Sequence, residues 1–110
     1  MRKLLALSFV LVSTPALAGN ANPWYLPGKI KEVVETYLVL NANTPQSIII
    51  CYSEGSKDAY IDVNSSDASG NAKVRTVSSR LYVGGCLNAH GTLVWIKNPN
   101  KTPAKGTFTK

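Results

Sequence analysis

The segment Ser47–Ser53 constrains the fold more than any other part of the chain. It holds three consecutive isoleucines followed by Cys51, one of only two cysteines among the 110 residues. Side chains along a β-strand alternate between two faces, so both faces of this segment would be largely apolar. Such a pattern is typical of a strand in the middle of a sheet that is covered on both sides. The sequence therefore predicts a central strand here.

The other cysteine, Cys86, is the only partner within the chain that Cys51 could have. A disulfide between them would close a loop of about 35 residues and contribute on the order of 4 kcal/mol to stability in the chain-entropy description. A redox pair is usually spaced as Cys-x-x-Cys, and a metal site needs more ligands than two cysteines and the single histidine, His90. We therefore predict a structural disulfide, no metal site and no cofactor.

Residues 1–18 have the layout of a cleavable secretory signal. Arg2 and Lys3 precede the apolar run Leu4–Val12, and the stretch that ends at Ala18 has the A-x-A pattern of a cleavage site. The apolar run is much shorter than the ~20 residues of a spanning helix, so no stable membrane insertion is expected. The layout predicts a secreted or periplasmic protein that is cleaved after Ala18.

The remainder of the chain is short enough for a single domain. We predict an N-terminal segment at 19–27, one domain at 28–97 and a basic, flexible tail at 98–110. Cleavage would leave ten basic residues against six acidic ones, a net charge of +4. Four of the lysines fall in the last fourteen residues: Lys97, Lys101, Lys105 and Lys110. The body of the domain is then close to neutral, and no nucleic-acid partner is expected.

Short β-prone segments and polar turns alternate through the domain. A hairpin is predicted around Val34–Thr36, between a strand that opens at Gly28 and the strand Thr36–Leu40. Polar turns are predicted at Asn41–Gln46 and Asn88–Gly91. Further strands are predicted at Ala59–Val63, Arg80–Val83 and Thr92–Ile96, with a break at Gly84 and Gly85.

One segment, Ala72–Leu81, fits two descriptions. It could be a short helix with Val74, Val77 and Leu81 on one side, or a strand through Val74 and Thr76. Five or so short strands indicate a small β-barrel or sandwich. The position of the helix candidate, between the third and fourth strand groups, favours a mainly-β, five-stranded OB-like Greek-key barrel with one short helix and one disulfide.

Several stretches carry a family resemblance. They are Gly28-Lys-Ile, Cys51 through Tyr60-Ile-Asp62, Arg80-Leu-Tyr-Val-Gly-Gly-Cys86 and Thr92-Leu-Val-Trp-Ile96. In this order they resemble small secreted OB-fold proteins, among them the B subunits of bacterial A–B toxins of the Shiga, subtilase and pertussis type. The resemblance spans most of Gly28–Lys97. It departs from that family at Asp67–Ser79, which is polar and contains Gly70 where the family has a longer, more apolar helix.

The resemblance implies a non-catalytic protein that binds cell-surface glycan as a homo-oligomer, a pentamer if it is toxin-like. Sugar recognition needs aromatic planes and hydrogen-bonding groups. The candidate ligand-binding residues are Trp24, Tyr25 and Trp95 as planes, with Lys97 and Asn98 as polar partners. Each aromatic residue has a packing alternative, in the core for Trp95 and as a lid at the domain edge for the other two.

No catalytic arrangement emerges from the sequence. His90 lies in a predicted turn, no free thiol would remain after disulfide formation, and no serine stands in a G-x-S-x-G motif. We therefore expect a protein that is not an enzyme. The alternative function is a periplasmic accessory or inhibitor-like protein that contacts another envelope or secreted protein and has no sugar site.

Overall fold

The computed structural model describes residues 21–68 and 75–110, and the predicted signal peptide lies outside them. Six strands are present: β1 (Ala21–Leu26), β2 (Thr36–Glu54), β3 (Tyr60–Ser66), β4 (Thr76–Tyr82), β5 (Cys86–Lys97) and β6 (Ala104–Thr109). They form one antiparallel sheet in the order β1-β6-β2-β5-β3-β4. The mainly-β class is confirmed, with six strands where the sequence analysis predicted five.

The long strand β2 joins the two ends of the sheet. It pairs with β5 along most of its length and with β6 through its second half. The predicted central strand Ser47–Ser53 lies in that second half, between β5 and β6, so its central position is confirmed. Ile48 and Ile50 are fully buried, but Ile49 on the opposite face is 47% exposed. The prediction that both faces are covered is therefore wrong, because the core covers only one.

The segment Asn41–Gln46, predicted as a turn, is an irregular part of β2. Asn41 pairs with Leu93 and Gln46 with Gly91, so residues 42–45 of β2 lie opposite a single residue of β5. Extra residues on one strand bend it and increase its twist without ending the pairing. The chain therefore changes direction here while β2 continues.

The sheet folds over on itself around this bend. The ring of Tyr37, near the start of β2, lies 6.2 Å from the ring of Phe108 in β6, and its hydroxyl donates a 3.4 Å hydrogen bond to the carbonyl of Pro23. Phe108 also pairs with Ile50 in the second half of β2. The start of β2 thus lies over the β1–β6 end of the sheet, with the core between. The core residues are Trp24, Leu26, Val39, Leu40, Ile48, Ile50, Tyr52, Ala59, Ile61, Val63, Leu81, Ala89, Val94, Ile96, Ala104 and Phe108.

Both segments that were predicted to lie outside the domain contribute strands to it. The predicted tail 98–110 contains β6, which lies between β1 and β2, and the predicted N-terminal segment 19–27 contains β1 at the edge of the sheet. Ala104 and Phe108 are buried while Lys105 is exposed. Lys105 faces solvent from a strand whose other face is core, and this alternation explains why composition alone suggested a solvated tail.

The two descriptions of Ala72–Leu81 are resolved from Thr76 onward in favour of a strand. Residues 72–74 of that prediction lie outside the described residues, and Thr76–Tyr82 pairs residue by residue with β3. No helix is found within 21–68 and 75–110, so the predicted short helix is not seen there. Pairing with β3 favours the extended form, which suits the β-branched residues Thr76 and Val77.

The predicted strand that opens at Gly28 is not part of the sheet. Between β1 and β2 only Ile30 and Val33 pair, through a bridge around a tight turn in which Lys31 has a φ of 56°. The bend lies earlier than the predicted one at Val34–Thr36. A side chain on Gly28 would collide with the carbonyl of Lys101 in the β5–β6 connection. Because Gly28 has no side chain, the β1–β2 connection can approach the β5–β6 connection closely.

The predicted disulfide is confirmed. Cys51 and Cys86 are directly opposed on β2 and β5, with their Cα atoms 4.0 Å apart. Beyond them the amide of Tyr52 donates to the carbonyl of Gly85, and the amide of Gly84 donates to the carbonyl of Tyr52. A disulfide fits a location outside the reducing cytosol, either extracellular or periplasmic. Across residues 21–68 and 75–110, no helix is long and apolar enough to cross a membrane.

Candidate functional site

Trp24 is a packing residue. Its side chain is buried in the core beside Tyr52, with 5.9 Å between the ring centroids. The indole nitrogen Nε1 donates to the carbonyls of Cys51 and Thr107, both at 3.2 Å, and so ties β1 to β2 and β6. A Cβ on Gly106 would collide with the indole ring. With its ring enclosed in this way, Trp24 cannot supply an open stacking face, and the packing alternative describes it.

Asn98 is also structural. It is fully buried, and its amide nitrogen Nδ2 donates to the carbonyls of Pro27 at 3.1 Å and Thr102 at 3.0 Å. Its oxygen Oδ1 accepts from the backbone amide of Asn100 at 3.0 Å, and the Asn100 side chain in turn donates to the carbonyl of Tyr60 at 2.8 Å. Asn98 therefore holds the β5–β6 connection against the end of β1, and its polar atoms are already used.

Tyr25, in contrast, faces an open groove of about 520 Å³ on the β1–β6 end of the sheet, and 50% of its surface is exposed. The groove has an aromatic and proline wall together with charged and hydroxyl-bearing residues. Its lining consists of Pro23, Trp24, Tyr25, Tyr37, Ser53, Glu54, Lys105, Gly106 and Thr107. We call it the Tyr25 groove.

Strand register explains how these side chains come together. Tyr25 of β1 lies opposite Lys105 of β6, and Lys105 lies opposite Glu54 of β2. An irregularity in β2 between Tyr52 and Glu54 shifts the register at this point. Bulges of this kind change the direction in which a side chain points. The result is a line of an aromatic ring, an ammonium group and a carboxylate across three adjacent strands.

The Tyr25 groove has the chemistry of a site for a neutral polyhydroxylated ligand. The Tyr25 ring offers an apolar face with a hydrogen-bonding tip. Glu54 can accept hydrogen bonds from hydroxyl groups and Lys105 can donate them, while their charges offset each other. Clefts of this size with an apolar wall and a few convergent polar groups are typical of small-ligand sites.

Trp95 and Lys97, the other predicted site residues, lie elsewhere on the sheet. They occupy the outward face of β5, alternating with the buried Val94 and Ile96. Trp95 is half-buried between Leu38 of β2 and Asn64 of β3. Lys97 is exposed. The five predicted residues therefore do not form one site.

The sequence analysis missed three residues that form aromatic and cation–π contacts with one another. The guanidinium carbon of Arg80 lies 3.9 Å from the centre of the Tyr60 ring, and the Tyr60 and Tyr82 rings are 5.8 Å apart. A side-chain hydrogen bond with Tyr82 and the nearby Tyr60 raise the pKa of Arg80. The motifs Tyr-x-Asp and Arg-x-Tyr were visible, but only the β3–β4 register shows that they meet.

His90 is not in a turn, because the predicted turn Asn88–Gly91 lies inside β5. Its ring nitrogen Nδ1 is 2.9 Å from Oγ of Ser47 on β2, at the exposed surface. A serine–histidine pair alone is not a catalytic centre, since acyl transfer also requires an orienting group and oxyanion donors. Within the described ranges, no group of three or more His, Cys, Asp or Glu residues is placed to hold a metal ion.

Comparison of the chain with protein-family models, curated proteins and solved structures gives no match. The geometry of the two surfaces is therefore the basis for a functional conclusion.

Proposed function

We propose that the protein is an exported, non-catalytic glycan-binding protein whose sugar site is the Tyr25 groove. The observation that carries this proposal is the half-exposed Tyr25 ring in an open groove, in register with Lys105 and Glu54. A sugar ring presents C–H groups on one face and hydroxyl groups at its edge. The tyrosine ring suits the first, and the carboxylate and ammonium groups suit the second.

The remaining features support the same proposal. The layout of residues 1–18 and the disulfide favour export. The carboxylate of Glu54 beside the groove disfavours a nucleic-acid backbone as the ligand. The resemblance to toxin B subunits supports glycan binding from the sequence, and it adds to the proposal an OB-type barrel and a homo-oligomer, pentameric in the toxin-like case.

A glycan array probed with oxidised residues 19–110 tests this proposal. We expect binding to a neutral saccharide, and Tyr25→Ala should weaken it by about fivefold or more through loss of the stacking face. Tyr25→Phe keeps the ring and should retain most of the affinity. Val77→Ala is the control, because Val77 is similarly exposed but lies at the other end of the sheet and outside both of the surfaces described above. Silence across the array, or equal losses in the two alanine variants, would contradict the proposal.

A second candidate function, an accessory or inhibitor-like protein that contacts an envelope protein, is favoured by the turn between β1 and β2. Ile30 is 71% exposed and Val33 59%, on the two sides of this turn. Exposed apolar residues next to each other are typical of protein contact surfaces. This candidate predicts no glycan binding and a monomer or dimer in light scattering. A photo-crosslinker placed at Ile30 should then capture a specific envelope protein that a crosslinker at Val77 does not.

A further inference from the structure

The outward face of β3, β4 and β5 presents a group of aromatic and charged side chains, which we call the Arg80 cluster. It consists of Tyr60, Asp62, Arg80, Tyr82 and Lys97. These residues point away from the core, because the residues that alternate with them, such as Ile61 and Leu81, are buried. Asp62 lies between the two cations, opposite Arg80 on β4 and opposite Lys97 on β5.

Arg80 contacts two aromatic side chains. Its guanidinium carbon is 3.9 Å from the centre of the Tyr60 ring, within the range of a cation–π contact. Its hydrogen bond with Tyr82 is the largest influence that raises its pKa, and the charge of Asp62 is the smallest. The guanidinium thus lies over the Tyr60 ring, and the group itself remains at the surface.

The Arg80 cluster carries more positive than negative charge, which favours binding of an anion. Two cations lie opposite the single carboxylate residue Asp62 on the neighbouring strands, and the side chain of Lys97 is exposed. A guanidinium that already contacts a ring and a hydroxyl is partly oriented, so it loses less entropy than a free one when it forms two parallel hydrogen bonds to a carboxylate or a sulfate. The Tyr82 ring, 52% exposed beside it, offers a stacking face.

We propose that the Arg80 cluster is a second binding site, specific for an acidic saccharide that bears a carboxylate or a sulfate ester. The guanidinium of Arg80 takes the acidic group, Lys97 adds attraction at longer range, and the ring of Tyr82 stacks on the sugar ring. The site lies at the opposite end of the strand order from the Tyr25 groove, so it stands independently of the function proposed for that groove.

Titration of oxidised residues 19–110 with dextran sulfate, polygalacturonate and neutral dextran at about 0.15 M salt tests the proposal, because exposed charges are partly screened there. We expect at least one acidic polymer to bind, and we expect neutral dextran not to bind to Tyr25→Ala, in which the Tyr25 groove has lost its stacking face. Binding of both acidic polymers indicates a general acidic site, whereas binding of one identifies the sulfate or the carboxylate as its target. Absence of binding by either acidic polymer, or equal binding of neutral dextran by Tyr25→Ala, would overturn the proposal.

Variants separate the cluster from general electrostatics. Arg80→Gln should weaken binding of the acidic polymer about tenfold through loss of the bidentate contact. Arg75→Gln removes the same charge just before β4, where no ring contact holds it, and should weaken binding less than about twofold. Equal effects of the two variants would show that only net charge matters and would overturn the proposal.

Two further variants test the bidentate contact separately from folding and the Arg80 cluster separately from the Tyr25 groove. Arg80→Lys preserves the charge but lacks the planar fork, so we expect a clear loss of affinity while near-ultraviolet circular dichroism stays native. Affinity unchanged in this variant would contradict the bidentate contact even if Arg80→Gln fails to fold. Tyr25→Ala should bind the acidic polymer like the parent chain, so failure of the groove proposal leaves this result readable.

Discussion

β1 and β6 at one end of the sheet come from distant parts of the chain, whereas β3 and β4 at the other end are neighbours in sequence. The first end is held by burial, since Trp24 lies inside the core and ties β1 to two strands. The second end carries an exposed contact between Arg80 and Tyr60. Each end presents a half-exposed tyrosine, but its surroundings differ, with offset charges beside Tyr25 and an excess of positive charge beside Tyr82.

Two tyrosines with similar exposure, Tyr25 and Tyr82, can therefore lie on parts of the sheet that are held together by different contacts. The edge strand β1 contains Pro23, which lacks an amide hydrogen and so limits pairing with another chain. The edge strand β4 contains no proline. Mutation of Trp24 should disturb the β1–β6 end first, because its ring ties β1 to β2 and β6, and mutations in the exposed rings should disturb ligand binding more than folding.

The largest effect is expected from Trp24→Ala. Removing a buried tryptophan leaves a cavity and should lower the free energy of unfolding by about 3–5 kcal/mol. Chemical denaturation measures the loss, and amide exchange should show faster opening of β6 than of β3. Trp24→Phe, which keeps most of the ring but loses both hydrogen bonds, is the matched variant. Equal acceleration of amide exchange in β3 and β6 would show that Trp24 does not stabilise the β1–β6 end more than the β3–β4 end.

A smaller effect is expected from removal of the disulfide by the double substitution Cys51→Ala and Cys86→Ala. The free energy of unfolding should fall by about 2–4 kcal/mol. Because the bond joins β2 to β5, the strands shared by both ends, amide exchange should accelerate in β3 and in β6 alike. Loss of protection in only one of these strands would show that the bond supports that end alone.

The smallest effect is expected from Tyr52→Phe, and it has the opposite sign. The Tyr52 hydroxyl is buried and has no hydrogen-bond partner among the described residues. Its removal should raise the free energy of unfolding by about 0.5–1 kcal/mol. A decrease in stability would indicate that the hydroxyl has a partner in the folded protein.

The Tyr52→Phe variant should also change how the free energy of unfolding depends on pH. Burial raises the pKa of Tyr52 in the folded state, so the folded protein holds this proton more tightly than the unfolded chain does. The free energy of unfolding of the parent should therefore decline as the pH rises above the unfolded value of about 10. Denaturation curves across this range should show a weaker decline for Tyr52→Phe. Parallel declines would mean that other groups govern the alkaline transition.

Local patterns were sufficient to predict the centre of the fold. The isoleucine run identified the central strand, and the presence of only two cysteines identified the disulfide. The ends of the fold were missed because their signals are mixed. In β6, Lys105 alternates with Ala104 and Gly106, and in β1 Pro23 precedes the aromatic residues, with Pro27 just beyond the strand. Such segments become strands only because a neighbouring strand pairs with them.

The candidate sites depended even more on tertiary structure. Trp24 and Tyr25 are adjacent in sequence and equally suitable as stacking planes, yet one is buried and the other exposed. Only the orientation of β1 over the core decides between them. The Arg80 cluster required the register that places residue 60 opposite residue 82, and no single segment of the sequence contains that information.

The position of β6 has a consequence for biogenesis. This strand is the last of the six to leave the ribosome, yet it lies between β1 and β2, which are the first two. Until residues 104–109 are synthesised, β1 lacks the neighbour with which it pairs, and Trp24 lacks one of its two carbonyl acceptors. The nascent chain is thereby kept from completing its fold early, a property compatible with the export proposed above.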